Sequence, residues 1–312
     1  MIVPSEIVNT PENISNLNEL IKQIGLGQCC VFVGAGLSKG AGYPLLGVLI
    51  DELKKAVEEK AKENLDSNPS DLPLQIEKIR ISLGQDRYRT ELLKIFDSDN
   101  KYGFLEVHQI VSSIPFSSWI TTNYDSCLEN AMRALYVQPQ VDFFPDLDPT
   151  LLRYGHIFHI HGVIRPNDEK DYFKSIILSR SDYDYAYKQD SVLCGFLQDL
   201  FRWRTVVFTG YSLNDPELVS VMRTAKIELE QRGEYEYMAK IGKRKPLHHF
   251  IIIHEDDMKQ TELISELELL PIYFTGDKDV YSGLTKTFTY IRNQTNRVKN
   301  PDSVDNREWF ED

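Results

Sequence analysis

Residues 30–44 read C-V-F-V-G-A-G-L-S-K-G-A-G-Y-P, an apolar run that empties into Gly34, Gly36, Gly40 and Gly42 ahead of a segment able to form a helix. Glycine removes the Cβ that blocks close approach, so such a turn can bring backbone N–H groups against a phosphate. A P-loop would need Gly-Lys-Ser or Gly-Lys-Thr, and neither occurs. A dinucleotide-binding Rossmann turn needs G-x-G-x-x-G, with an acidic strand end about 20 residues on. Here the last glycine, Gly40, comes one residue late, and Asp51 and Glu52 fall in helix-patterned sequence. Gly36-Leu37-Ser38-Lys39-Gly40 also fits the nucleophile elbow G-x-S-x-G, although Gly34 and Ala35 already break the apolar run that an elbow serine directly follows. On these residues alone a phosphate cradle, an elbow and a turn that only packs a helix on a sheet all stay open.

Three more clusters could carry chemistry. Ser118-Trp119-Ile120-Thr121-Thr122-Asn123-Tyr124-Asp125 reads as a strand ending in Asn and Asp, where an α/β sheet presents side chains to a ligand. Asn123 can orient a water or a ribose hydroxyl without titrating; an Asx turn or a helix cap is the competing use. In His156-Ile157-Phe158-His159-Ile160-His161-Gly162, His159 and His161 would share a face of a strand, as a metal pair would. No carboxylate or cysteine at ligand spacing completes a metal site, and an imidazole before a glycine at a strand end suits a general base. Finally, Val206-Val207-Phe208-Thr209-Gly210-Tyr211-Ser212-Leu213-Asn214-Asp215-Pro216 is a strand-turn-helix junction with Asp215 as cap and Pro216 at the first helical position.

Something must hold these clusters at one edge. Apolar strand candidates at 29–33, 116–121, 157–161, 205–209, 249–253 and 271–274 alternate with helical stretches, which predicts a doubly wound, largely parallel α/β sheet with helices on both faces. Ile14, Leu17, Leu20, Ile21 and Ile24 repeat at helical spacing and stop at Gly25 and Gly27. From about 47 to 108, two helices' worth of charged, periodic sequence exceeds what a crossover needs, so this stretch is expected as a helical insertion beside the sheet. Pro139 to Pro149 is expected as surface loop. The expected catalytic domain spans 14–292, and 293–312 is a polar, acidic tail in which Trp309-Phe310 suggests a docking arm.

Composition narrows the partners. The chain has 312 residues, 42% hydrophobic and 26% charged, with a formal net charge of -12, which argues against direct nucleic-acid binding. No stretch approaches the ~18 apolar residues of a membrane span, and no leader is read, so a cytoplasmic protein is expected. Cys29, Cys30, Cys127 and Cys194 form no C-x-x-C pair, so neither a disulfide framework nor a zinc ribbon is expected.

Taken in order, G-A-G-L-S at 34–38, T-T-N-Y-D at 121–125, H-G at 161–162 and G-Y-S-L at 210–213 resemble the motifs of the sirtuin superfamily over roughly residues 20–290. The resemblance implies that Gly34, Ala35, Gly36 and Ser38 cradle the NAD pyrophosphate, with Pro44 and Thr122 also beside the dinucleotide. It implies that Asn123 and Asp125 face the nicotinamide ribose, that His161 is the catalytic base, and that Gly210, Ser212 and Leu213 contact the ribose and phosphates from the other side. Departures are equally informative. Protein deacylases of this superfamily follow the glycine turn with G-I-P-D-F-R, whereas this chain has Gly42-Tyr43-Pro44-Leu45-Leu46-Gly47, and their cysteine zinc pairs are missing. The glutamine before their Asn is Thr122. The pattern therefore looks like the sirtuin-like NADases of bacterial anti-phage defence, which hydrolyse NAD to nicotinamide and ADP-ribose and deplete the infected cell.

That implied reaction is chemically modest. Nicotinamide departs neutral, so no general acid is required, and the barrier lies in an oxocarbenium-like sugar and a positioned water. NAD is expected as substrate, with no metal. An unrestrained NADase would be toxic, so restraint by homo-oligomerisation, a regulatory partner or a nucleotide signal is expected. The competing expectations are an NAD or ADP-ribose sensor without turnover and a zinc-free deacylase.

Overall fold

The computed structural model describes residues 3–58, 71–96, 103–153, 155–165, 175–231, 248–276 and 281–299. The apolar runs pair into β1 (Cys29–Val33), β2 (Trp119–Thr121), β3 (Val141–Phe143), β4 (Ile157–His159), β5 (Thr205–Thr209), β6 (Phe250–His254) and β7 (Leu270–Phe274). All are parallel, in the order β3-β4-β2-β1-β5-β6-β7. The helices are α1 (Pro11–Gly25), α2 (Leu46–Lys55), α3 (Leu72–Leu83), α4 (Gln85–Phe96), α5 (Glu106–Ser113), α6 (Cys127–Ala134), α7 (Arg180–Ala186), α8 (Val192–Trp203), α9 (Pro216–Gln231), α10 (Thr261–Glu266) and α11 (Ser282–Lys299).

Successive strand residues point to opposite faces, and each face needs its own cover. Cys30 and Phe32 of β1 pack with Phe158, Phe208 and the α8 residues Phe196, Leu197 and Leu200. Cys29, Val31 and Val33 pack on the other side with Leu17, Leu20 and Ile24 of α1, Val107 and Val111 of α5, and Leu284 and Phe288 of α11. The result is an α/β/α sandwich. Helix starts follow local chemistry: Thr10 accepts from Asn13 N at 3.3 Å at the head of α1, and Asp71 accepts from Leu74 N at 2.9 Å at the head of α3.

The helical insertion is α2, α3 and α4, whose Leu49, Ile50, Leu53, Ile76, Ile79, Tyr88, Leu92 and Phe96 form a third cluster together with Cys127 of α6 and Ile164, Ile176 and Leu178. Helix α5, although it begins at Glu106, belongs to the sandwich instead, because Val107, Ile110 and Val111 join the sheet's core. The sequence reading also passed over β3: Val141-Asp142-Phe143 pairs with β4 alone at the sheet edge, so its residues are only partly buried and three of them give no apolar run. β4 ends at His159, so His161 lies beyond the strand rather than on it. Helix α11 runs to Lys299, through 293 where the composition turns acidic, while Trp309 and Phe310 lie outside the described residues.

A close backbone contact joins the turn after β1 to the turn after β5. Gly34 N donates to Thr209 O at 2.9 Å and Gly36 N to Gly210 O at 2.8 Å. A Cβ on Gly34 would sit 2.5 Å from Gly210 O, and one on Gly36 2.7 Å from the same atom. Gly210 itself has φ +60°, and its Cβ would sit 2.5 Å from Leu37 N. Gly34→Ala is therefore expected to destabilise the protein by at least ~2 kcal/mol in urea unfolding, because backbone on both sides must move. Gly195→Ala, in the middle of α8 with open space around it, is expected to stabilise by ~0.5–1 kcal/mol.

Candidate active site

β4, β2, β1 and β5 are consecutive in the sheet, so the four motif-bearing strand ends meet at one C-terminal edge, and β1 leads to β2 on one side while its neighbour β5 leads to β6 on the other. A cavity of about 860 Å³ opens there, within the range of small-molecule sites. Ala35, Gly36, Ser38, Pro44, Thr122, Asn123, Asp125, His161, Gly210 and Ser212 all line it. Two of the singled-out residues do not. Leu213 turns its side chain into the main core, 3% exposed, and Gly34 contributes its backbone from beneath.

Within the glycine turn the amides of Gly34, Gly36, Leu37 and Ser38 are bonded to Thr209 O, Gly210 O, Gly34 O and Ala35 O. Ala35 N takes no part in these bonds. The glycines are thus demanded first by the contact with Gly210, and only secondarily leave room for a ligand. Tyr281, ahead of α11, donates its hydroxyl to Gly36 O at 2.6 Å and fixes the turn from outside.

Asn123 is held by this turn. Its Nδ2 donates to Gly34 O at 3.2 Å and to Ser38 Oγ at 3.2 Å. A carbonyl can only accept, so the amide's orientation is determined, and Oδ1 is left as a buried acceptor with no partner. Ser38 is in turn fixed by His108, which the sequence reading did not single out. His108 Nδ1 accepts from Leu105 N at 3.0 Å, so the proton sits on Nε2, 3.3 Å from Ser38 Oγ. Burial holds His108 down at about 4, so it stays neutral. A His that donates to a serine cannot deprotonate it, which removes the nucleophile-elbow reading of Ser38.

Behind Asn123 lies a buried charge group, also unsignalled beyond the H-x-H spacing. His159 Nδ1 donates to Asn123 O at 3.0 Å and Nε2 to Glu129 Oε1 at 3.1 Å, so both ring nitrogens carry protons. Arg165 Nη2 adds a second bond to Glu129 Oε1 at 2.8 Å. The Glu129 carboxylate raises the His159 pKa against the opposing effect of burial. Glu129 is held down at about 2, its own burial outweighed by His159 and Arg165. His159 and His161 thus have separate partners and do not form a metal pair. Among the described residues no group of three His, Cys, Asp or Glu side chains could hold a metal ion.

His161 sits in different surroundings. Its ring is edge-on to Tyr183 and Tyr187, which stack on each other with centroids 5.6 Å apart. Nε2 and the Tyr187 hydroxyl are 2.7 Å apart, and burial drives the imidazole pKa down to about 3. Asp215 Oδ2 lies 3.9 Å from Nε2, and Oδ1 accepts from Leu218 N at 3.1 Å as the cap of α9. Asp125, expected beside a ribose, accepts from Cys127 N at 3.0 Å and so helps start α6. The opposite wall is apolar, built by Tyr43, Leu45, Leu46, Leu49, Leu72 and Phe96 from the turn and the insertion. Asp71, Asp125, Asp215 and Glu217 against Arg180 leave the cavity acidic on balance, and Arg180 is itself paired with Glu217. Such a lining favours a cationic ring or a developing positive charge.

The profile of the SIR2-like domain family matches residues 117–272, half of the chain. NAD(+) hydrolase ThsA of Cytobacillus dafuensis is 24% identical over 245 residues, covering 76% of this chain and 46% of the relative. The protein of the same description from Enterococcus faecium is 27% identical, covering 74% and 46%. Defense-associated sirtuin 2 of Bacillus subtilis is 26% identical, covering 64% of this chain and 20% of its own. The chain thus spans a little under half the length of the hydrolases it matches. Among solved structures, a SIR2 homolog in complex with NAD aligns over 89% of this chain and 94% of its own, at 14% identity and a TM-score of 0.39.

The Glu129–His159 pair yields a stability test. A raised imidazole pKa contributes fully below its ordinary value of 6.5 and is lost as pH rises through the folded value, whereas a depressed carboxylate contributes fully above 4.5 and is lost on acidification. Glu129→Gln is expected to cost about 3–5 kcal/mol between those two pH values, by stranding a buried cation. Urea unfolding across the pH range should show the gap narrowing on both sides.

Proposed function

The chain belongs to the SIR2-like family, and on that premise we propose that it is an NAD+ glycohydrolase, cleaving NAD to nicotinamide and ADP-ribose in anti-phage defence. The names of the relatives support the activity and the setting. The observation that carries the reading is Asn123 Oδ1: a buried acceptor without a partner, in a side chain whose amide cannot turn over, on the wall of the cavity. Buried polar atoms are normally bonded, so an orphan here fits a water or ribose hydroxyl that arrives with the substrate.

The acidic lining suits the pyridinium end of NAD and the oxocarbenium-like sugar that follows its departure. Pyrophosphate then lies toward the glycine turn, Ser38 and Ser212, away from Asp215 and Glu217. Asn123 aligns the attacking water or the ribose hydroxyls. His161, kept neutral by burial, is the base beside the reacting carbon that accepts the proton of the attacking water or of a ribose hydroxyl. The catalytic unit is taken as 14–292, acting in the cytoplasm, and its basal rate is held low by homo-oligomerisation, a partner protein or a nucleotide signal.

Turnover and binding separate this enzyme from a silent sensor. Asn123→Ala and His161→Ala are each expected to lower nicotinamide release by ~10²-fold or more while NAD still binds in equilibrium dialysis. Parent protein that binds NAD but releases no nicotinamide, even with enzyme in molar excess, would sink the hydrolase reading in favour of the sensor.

A further inference from the structure

An imidazole acts as a base only through a nitrogen that carries no hydrogen, and which nitrogen that is depends on the bond made by the other. In His161, Nε2 lies 2.7 Å from the Tyr187 hydroxyl, while Nδ1 has no hydrogen-bond partner among the described residues and belongs to a ring that lines the cavity. Two arrangements satisfy the 2.7 Å contact. If the hydroxyl donates, Nδ1 carries the hydrogen and neither nitrogen can take a proton without breaking the bond. If Nε2 donates, Nδ1 keeps its lone pair. The surroundings favour the second. Asp215 Oδ2 lies 3.9 Å from Nε2, and its negative charge draws the ring hydrogen to that nitrogen. Burial and the same carboxylate both oppose ionisation of the Tyr187 hydroxyl, and a hydroxyl hydrogen turned toward Asp215 leaves an oxygen lone pair for Nε2–H.

Both partners are held from behind. Tyr187 N donates to Tyr183 O at 2.9 Å, and the two rings stack within 10° of parallel. Helix α7, which leads into Tyr187, is anchored at its head: Asp182 Oδ2 accepts from Ser179 N at 2.8 Å, and Arg80 of α3 reaches Asp182 Oδ1 at 3.2 Å and Ser181 Oγ at 2.7 Å. The backbone of His161 has its own supports. Ile177 N donates to His161 O at 3.1 Å, and a Cβ on Gly162 would sit 2.6 Å from Ser175 O. The freedom that remains is rotation of the imidazole about its side-chain bonds, and the Tyr187 hydroxyl removes it.

We infer that Tyr187 is a positioning residue for the catalytic base: its hydroxyl accepts from His161 Nε2–H, holds the ring in that tautomer and leaves Nδ1 as the nitrogen that takes the proton. This assignment rests on the NAD-cleavage reading. In the step, the water oxygen forms a bond to C1′ of the nicotinamide ribose as the C1′–N bond breaks, and that electron pair stays on the pyridine nitrogen. The water proton passes to Nδ1 while Nε2–H stays on the Tyr187 oxygen, and His161 then returns a proton to solvent. NAD+ and water give nicotinamide, ADP-ribose and one proton. An acceptor for Nε2–H also stabilises the imidazolium that forms, which matters where burial drives the imidazole pKa down to about 3.

Tyr187→Phe tests the proposal, because Phe keeps the stacked ring and loses only the hydroxyl. With the full chain in molar excess over NAD, nicotinamide release is expected to fall ~10- to 10²-fold, with NAD affinity within about threefold of the parent. In a His161→Ala background the same substitution is expected to change the rate by less than about threefold, since no base is left to position. Nitrogen NMR of the isotope-labelled parent, without NAD, should show the His161 hydrogen on Nε2, and Tyr187→Phe should show a mixture of tautomers. A hydrogen on Nδ1 in the parent would overturn the assignment. So would an undiminished rate in Tyr187→Phe, an equal loss with and without His161, or a joint loss of NAD binding and turnover, which marks a structural role. If the parent binds NAD and releases no nicotinamide, the hydrolase reading fails on its own, and the tautomer measurement still decides whether Tyr187 orients His161.

Discussion

Everything at the sheet's C-terminal edge depends on how closely two backbone turns approach. Gly34 and Gly36 meet Gly210 at distances that leave no room for a Cβ on any of the three, and the resulting bonds tie the end of β1 to the end of β5. That contact aims the Gly34 carbonyl at Asn123 and so selects which end of the amide faces the cavity. Ser38, the next fixed point, takes its orientation from His108. One steric requirement is thereby passed along a short chain of bonds until it sets an acceptor lone pair.

Two histidines separated by one residue end in opposite states, which shows how far environment outranks residue type. His159 faces a carboxylate and a carbonyl, both acceptors, and stays cationic inside the core. His161 faces tyrosines and apolar neighbours and stays neutral. The positive ring lies behind Asn123 and stiffens its backbone; the neutral ring lies in front and shapes the cavity. Placing the charge behind the site keeps it from repelling a cationic ligand at close range, while the Glu129 carboxylate and the Asn123 carbonyl offset its cost.

Sequence carried the outline of this arrangement because its signals are local. Apolar runs ending in glycine mark β1 and β5, the T-N-Y-D segment marks the end of β2, and H-G marks the turn after β4. The alternation of strands and helices then suffices for a parallel sheet that gathers them. What stayed hidden depends on contacts between distant segments. His108 meets Ser38 across 70 positions, His159 meets Glu129 across 30, and His161 meets Tyr187 across 26. Asp215 was visible as a helix cap, but the approach of its second oxygen to 3.9 Å from His161 Nε2 was not. Strand β3 escaped because an edge strand of three residues, paired on one side, needs no apolar run.

The insertion packs in a third apolar cluster that also takes in Cys127 of α6 and Ile164, Ile176 and Leu178, and Tyr43, Leu49 and Phe96 of that cluster line the cavity. Occupancy and local folding are consequently two views of one equilibrium. A ligand that touches this wall binds only the form in which α2, α3 and α4 are packed, so its free concentration shifts how often that small module opens. As the concentration of a ligand that fills this cavity falls, the module opens more often, so the local stability of one corner of the protein follows that concentration.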